Sequence, residues 1–513
     1  MTPHSPLRTV IVGGGMSGIL LALRLSRHVH KMSENSVLLI EKQPFLGGRL
    51  FFSNPHKNSA GSVALPTSSG PGFEAFDSMS LDVLQRHFQG LLSEEELEFL
   101  RKSYKNFVFT KNRYFVKKSF LPLCEVLQGH PDFLSKRDAQ LLKYLTTAPP
   151  HKEGALALDK TIFWKELQKS SKETLAQVLG ALVGPHWQAL NLVQVCRLLQ
   201  EFFDEKNHSF VGCCEYPFPF FSQDKQNLFG NFLKQILQNR NIQVITSCTL
   251  LCTRLNAQKH FVLDFQHASS LVVEQCVTQK LVMALPLTQC VGLLPKNFFS
   301  AAQARFVSRV RPVSLLACEF FDFSPLAALS QWPSQAQSGS SFLFPIERAQ
   351  ALFTCDQRMI FLAKLDCEHV ASSAHPEALP AVAREAISRL RRAAARMIDP
   401  KFLSDIKKHP AWLSSPLGKK TFLHERVVLL PVAYAVPEHT PPQLTLTDPK
   451  MAVEGLFCCG DSFANPHGTN NSKPFFAVVD SVQRVCEELL KSYQNEMTLN
   501  IRLHIKNSVT DEL

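Results

Sequence analysis

Three glycines in the register Gly13-x-Gly15-x-x-Gly18 constrain this chain more than any other feature. A β-branched apolar run at residues 9–12 precedes them and reads as a buried strand. Residues 19–27 read as a helix, with Ile19, Leu20 and Leu23 spaced to face a sheet. A second buried strand at 37–40 ends at Glu41, so the chain opens with a β-α-β unit carrying the dinucleotide fingerprint. In such a unit Gly13 permits the tight turn and Gly15 lets the backbone approach a pyrophosphate. Gly18 lets the helix pack closely on the strand. The helix start, with Ser17 in its turn, offers unpaired N–H groups and a positive dipole end to phosphates. Glu41 lies 23 residues beyond Gly18, where a carboxylate accepts hydrogen bonds from ribose hydroxyls. The same charge would repel a 2′-phosphate, which argues against NADP.

The remaining sequence must account for a long chain. At roughly 150 residues per domain, 513 residues suggest about three domain-sized units. Hydrophobic residues at 45% against 19% charged exclude disorder for most of the chain. The aromatic set is lopsided, 39 Phe against 6 Tyr and 4 Trp, which favours thick apolar cores or an oily pocket. The formal charge of +11 is spread over a large surface and selects no partner by itself. The 14 cysteines include the doublets Cys213-Cys214 and Cys458-Cys459 but no CxxC pair, and no zinc-like spacing. They read as buried reduced thiols in a reducing compartment, with no metal site. No apolar stretch is long enough to cross a membrane, and the N-terminal strand is not a secretory signal. The closing Asp511-Glu512-Leu513 resembles an ER-retention tail, for which chance is the better explanation. The expected location is cytoplasmic, possible peripheral contact with a membrane included.

Segments that read as one parallel sheet are scattered. Buried strands recur at 242–245, 281–284 and 456–459, with a helix at 227–238 before the first. Pro474 suits the first turn of a final helix, whose apolar stripe is Val478, Val482, Val485 and Leu489. Between these segments, 94–104 and 174–182 have helical periodicity, and Ser93 with Glu96 forms a capping box. A hairpin is expected from 107–109 and 114–116, joined through Lys111-Asn112-Arg113. A strand at 313–321 and an arginine-rich helix at 380–396 belong to the intervening part. The expected fold is α/β: a Rossmann-like dinucleotide-binding domain interleaved with an α+β second domain. The expected boundaries give the first domain residues 1–75, 215–300 and 441–495. The second takes 76–214 and 301–440, and 496–513 form a tail.

Glu41-Lys42 is followed by Gly47-Gly48-Arg49, and this pair of motifs resembles the flavin amine oxidase, protoporphyrinogen oxidase and phytoene desaturase superfamily. The resemblance implies FAD as the cofactor of the first domain and substrate binding by the second. It places Lys42, Gly48 and Arg49 beside Glu41 around the cofactor. By the same resemblance, Cys252-Thr253-Arg254-Leu255 takes the place of a backbone contact to adenine, through Cys252. The strand 281–286 looks like the superfamily's apolar strand ending in A-x-P. The strand ending in Gly460-Asp461 looks like its C-terminal one, whose carboxylate meets ribityl or pyrophosphate oxygens. Two departures stand out. Lys473-Pro474-Phe475-Phe476-Ala477 replaces a small-residue helix start near the flavin, and Phe73-Glu74-Ala75-Phe76-Asp77 lacks the glycine of a D-x-G turn.

Amine oxidases of the superfamily place a lysine near flavin N5 on a substrate-domain strand. The comparable stretch here, Val313 to Glu319, has none, and no covalent-flavin cysteine is evident. The resemblance therefore implies an FAD-dependent oxidoreductase of the desaturase or protoporphyrinogen-oxidase type. It would take hydride from a small lipophilic or macrocyclic substrate, without an assigned catalytic residue. Tyr434, in Tyr434-Ala435-Val436-Pro437, is the substrate-side candidate, and Phe107, Phe109 and Phe115 are further pocket candidates, with core packing the favoured reading for them. Residues 101–120 carry seven basic and no acidic residues among six aromatics. A solvated basic hairpin edge explains them more economically than nucleic acid, and contact with an anionic membrane is the middle reading. Two alternatives stay open: a flavin amine oxidase, and a flavin-free prenyl-protein chaperone of the GDP-dissociation-inhibitor type.

Overall fold

The computed structural model describes residues 7–29, 37–48, 90–103, 105–109, 111–116, 119–147, 156–200, 203, 209–213, 228–270, 272–308, 310–321, 340–344, 349–353, 359–368, 380–398, 424–437, 451–463 and 478–495. In chain order, β1 (Leu7–Val12), α1 (Met16–Val29) and β2 (Val37–Ile40) form the opening β-α-β unit. Next come α2 (Glu94–Ser103), β3 (Lys105–Phe109), β4 (Lys111–Val116) and β5 (Ser119–Pro122). A helical stretch holds α3 (Leu123–Gly129), α4 (Lys136–Thr147), α5 (Lys169–Val183) and α6 (Leu192–Gln200). After β6 (Ser209–Cys213) come α7 (Leu228–Asn239), β7 (Gln243–Ile245), β8 (Cys248–Leu255), β9 (Phe261–His267) and β10 (Val273–Met283). Then follow α8 (Leu287–Leu293), α9 (Ala301–Ser308) and β11 (Val310–Phe321). The last stretch carries β12 (Ser340–Phe344), β13 (Ala349–Phe353), β14 (Met359–Asp366) and α10 (Ala381–Ile398). It closes with β15 (His424–Pro437), β16 (Leu456–Cys458) and α11, residues 478–495.

The first sheet has the order β7-β2-β1-β10-β9-β8, with β16 also on β10. Strands β7, β2, β1, β16 and the second half of β10 run parallel. The first half of β10 pairs antiparallel with β9, and β9 with β8, so a meander grows out of the parallel sheet. Strand alternation sends successive side chains to opposite faces. Ile11, Leu39, Val282 and Phe457 join one core with α1, α2, α7 and α11. Val10, Val12, Leu38, Ile40 and Met283 join the other with the meander, α8 and α9. Both faces are covered, which is why 37–40 is a continuous apolar run rather than an alternating one.

The second sheet runs β15-β11-β14-β13-β12-β4-β5, antiparallel except between β12 and β4. Helices α3 to α6 form a separate core that takes in Val313 of β11. Lys364 of β14, 8% exposed, donates to the carbonyls of Ala181 and Leu182 at the end of α5. The ammonium thus meets the negative end of that helix, where terminal carbonyls lack intrahelical partners.

Three expectations change. The hairpin expected between 107–109 and 114–116 does not form: β3 pairs with β6 in a two-stranded sheet, and β4 pairs with β5 and β12. One residue separates β3 from β4, whereas a tight hairpin needs a loop of about two. Val116 and Ser119, with two residues between them, do pair. The basic stretch is therefore divided between two sheets, and the side chains of Phe107, Phe109 and Phe115 lie outside the described residues. Secondly, α2 belongs with the first sheet rather than with the substrate domain: Leu91, Leu92 and Leu97 enter its core. The capping box forms in both directions, Ser93 N to Glu96 Oε2 at 2.7 Å and Glu96 N to Ser93 Oγ at 3.2 Å. Glu96 also pairs with Arg240 at 2.7 Å, locking α2 to the end of α7. Thirdly, α9 packs Phe306 into the first sheet's other core, which carries that domain past residue 300.

Candidate functional site

The carboxyl ends of the parallel strands meet around the first glycine turn. Gly13 N donates to Ile40 O at 2.8 Å, Glu41 N to Ile245 O at 2.8 Å, Ala284 N to Val12 O at 2.8 Å and Cys459 N to Met283 O at 3.1 Å. These bonds bring the ends of β7, β2, β1, β10 and β16 to one edge. Such an edge, at the point where strand order reverses, is where doubly wound sheets bind ligands.

The glycines divide the work. Gly13 has φ +111°, and a side chain there would meet Ala284 O at 2.5 Å. A side chain on Gly18 would fall onto the Gly13 carbonyl, so α1 can seat on β1 only with glycine. Gly15 differs, because a Cβ placed there has nothing within 4 Å. The space above Gly15 is therefore open, and it lies at the start of α1. The first turn of α1 carries no acidic side chain, and Ile19 N to Gly15 O at 3.0 Å begins its ladder. Backbone N–H groups and the positive helix end face that space.

The second glycine pair closes on the first. Gly47 N donates to Gly14 O at 2.7 Å, and a Cβ on Gly48 would lie 2.9 Å from Gly15 Cα. Gly47, quoted with the motif but not among the site candidates, makes the hydrogen bond. Arg49 lies outside the described residues. The third segment arrives through Gly460, φ +143°, whose Cβ position is 3.8 Å from Ser17 Oγ. Asp461 opens the 3-10 turn Asp461–Phe463 beside it.

Glu41 is 8% exposed, and its carboxylate holds the loop's backbone. Oε2 accepts from Gly14 N at 2.6 Å and Oε1 from Gln43 N at 2.7 Å. Burial raises its pKa above the ordinary carboxylate value, opposed by the backbone hydrogen bonds and the Lys42 charge. A carboxylate has about four acceptor sites, so each oxygen retains capacity for a ribose hydroxyl. Lys42 itself is exposed.

Cys252 does not reach this edge. Strand β8 meets Glu41 through the bonds of Ser247 N to Gln43 O and Cys248 N to Glu41 O, both 2.9 Å. Cys252 lies roughly 13 Å further along at strand rise, exposed, with its thiol on Asp264 Oδ2 at 3.0 Å. The residues that meet the Glu41 loop are those at and just before the start of β8. Tyr434 lies on β15 opposite Val313, with its side chain outside the described residues. The departures at 473–477 and 73–77 also lie outside them. Cys458 and Cys459 are buried on and just after β16; a hydrogen bond with the Cys290 thiol, then burial, pushes the Cys458 thiol up in pKa, and burial pushes up that of Cys459. No group of His, Cys, Asp and Glu suited to a metal occurs among the described residues. No helix among them is long and apolar enough to cross a membrane.

The fold and this edge define a Rossmann-type α/β architecture. The family described as NAD(P)-binding Rossmann-like domain matches residues 11–69. No curated protein sequence matches the chain. Solved structures do. Putrescine oxidase bound to putrescine has a TM-score of 0.57 at 11% identity, covering 95% of this chain and 99% of its own. Cyclohexylamine oxidase from Brevibacterium oxydans IH-35A has 0.55 at 13%, covering 96% and 100%. An oxidoreductase from Methanosarcina mazei has 0.52 at 14%, covering 94% and 100%. The chain shares the fold of these solved structures along nearly its whole length.

Proposed function

We propose that the protein is an FAD-dependent oxidoreductase that takes hydride from a small lipophilic or macrocyclic substrate. The observation that carries this reading is the open space over Gly15, framed by α1, Gly48, Glu41 and Gly460 from two distant stretches of chain. The residues present suit FAD. The start of α1 would take the pyrophosphate, Glu41 the adenosine ribose, and Asp461 the ribityl or pyrophosphate oxygens. When bound, FAD supplies a hydride acceptor at flavin N5. Burial of Glu41 lowers the screening of its hydrogen bonds, and the cores on both faces of the sheet support the strands that carry the loop.

The choice of substrate class rests on the lysine question. Strand β11 carries no lysine. The lysine beside it, Lys364 opposite Leu315, directs its ammonium to the α5 carbonyls. This supports a desaturase or protoporphyrinogen-oxidase type over an amine oxidase. The test is the visible spectrum of the purified protein, followed by identification of the released cofactor. A yellow protein releasing about one FAD per chain is the expected result. A colourless protein that binds no added FAD would reject the reading and favour the prenyl-protein chaperone. Anaerobic flavin bleaching by porphyrinogens or polyenes, and not by amines, would then support the substrate class.

A further inference from the structure

We propose that Ser481 and Arg484 are positioning residues for the cofactor, gripping the Asp461 turn at its two ends. The proposal rests on the dinucleotide reading of the cleft. Gly460 N donates to Ser481 Oγ at 2.9 Å, and Ser481 Oγ donates to Val478 O at 2.9 Å. The hydroxyl proton is thus committed to the helix and a lone pair is turned toward the Gly460 amide. Ser481 is 1% exposed, so water offers that amide no substitute. One helical turn on, Arg484 Nη2 donates to Phe463 O at 2.6 Å, and Asp480 Oδ2 lies 3.2 Å from the same nitrogen.

Positions 481 and 484 are three apart and share one helix face. Between their two grips lie only Asp461 to Phe463. Val478, Val482 and Val485 anchor the same helix in the core shared with α1. The position of the Asp461 backbone is therefore transmitted from α11 rather than set by β16 alone. Binding groups must be held to about 0.5 Å to be effective, and the two hydrogen bonds from α11 give the Asp461 turn that support.

The test is FAD titration of apoprotein. Ser481→Ala should raise the FAD Kd about tenfold, because it leaves the Gly460 N–H unsatisfied. Ser481→Thr should restore binding, since a threonine hydroxyl can bond the same carbonyl. In an Asp461→Asn background Ser481→Ala should add less than about twofold, because its effect runs through Asp461. An equal effect in both backgrounds, or none in the unaltered chain, would overturn the positioning role. Arg484→Met carries the same cycle if Ser481→Ala fails to fold. Amide hydrogen exchange of residues 460–463 in the apoprotein should rise in Ser481→Ala, and unchanged protection would overturn the clamp itself. Were the unaltered chain to bind no FAD while the turn still loosened, the cofactor reading would be what failed, and the positioning role would fall with it.

Discussion

Gly15 and Gly18 stand three residues apart, and substitution should fail differently at each. Gly15 has open space above it and no positive φ, so Gly15→Ala changes little in the folded chain. Its methyl group enters the space proposed to take a pyrophosphate, and FAD affinity should fall at least about tenfold, a change of about 1.4 kcal/mol. Gly18→Ala meets the Gly13 carbonyl and should lower stability by about 1–3 kcal/mol before any ligand is added. Thermal midpoints with FAD titrations separate the two. Normal FAD binding by Gly15→Ala would place the cofactor elsewhere. Glu41 adds a pH signature. Its folded pKa is raised, mainly by burial. Below the ordinary carboxylate range it is neutral in both states. As pH rises past that range the unfolded chain ionises first, so stability is lost up to the folded pKa and then stays level. The thermal midpoint of the apoprotein should therefore fall relative to Glu41→Gln from pH 4 to 7, and a relative rise would contradict burial as the dominant cause. The glycines and Glu41 were legible in the sequence because a backbone requirement forces residue type. Ser481 was not, since a serine in an amphipathic helix reads as ordinary polar filler. The distance of Cys252 from Glu41 was not legible either, because the bond from Cys248 N to Glu41 O, a tertiary contact, sets where β8 meets that loop.

At the scale of elements, legibility followed burial. Strands β1, β2 and β16 are sheathed on both faces, and a short apolar run has no other economical fate. The stripe of α11 was equally plain, because Val478, Val482, Val485 and Leu489 recur at helical spacing and all enter one core. Pairing partners were harder to read. Both β3 and β4 were recognisable as strands, but their partners β6 and β12 lie far along the chain, and nothing local selects them. The length of β10 was also hidden. Only its second half looked like a strand, because the first half is more exposed and pairs with β9 in the meander. The capping box of α2 was visible, yet its allegiance was not, because that depends on Arg240 at the end of α7. Local chemistry thus fixed the kind of element, while long-range hydrogen bonds fixed its neighbours.

For the molecule as a whole, the consequential fact is that one sheet edge, the proposed cofactor site, is assembled from three stretches of chain. The first stretch holds Gly13 to Gly48 and the second β7 to β10. The third, β16 and α11, supplies Gly460, Asp461 and Ser481. Every fingerprint residue of the opening unit survives in a chain shortened to residues 1–450. Such a chain should nevertheless bind no FAD. It loses Val478, Val482, Val485 and Leu489, all buried in the core with α1. At about 1.5–3 kcal/mol each, these four account for about 6–12 kcal/mol. That equals the whole net stability of a typical domain, about 5–15 kcal/mol. It would also expose β10 along the edge that β16 covers, leaving an unpaired apolar strand. The second sheet draws on none of residues 451–495 for its pairing. Circular dichroism of the shortened chain should therefore show partial rather than complete loss of structure, with FAD binding absent. Supplying residues 451–495 as a separate chain should recover binding in part, because the missing strand and helix pack through side chains and hydrogen bonds rather than through chain connectivity. Full FAD affinity in the shortened chain would mean that the opening unit holds the cofactor alone and that the third stretch merely covers it.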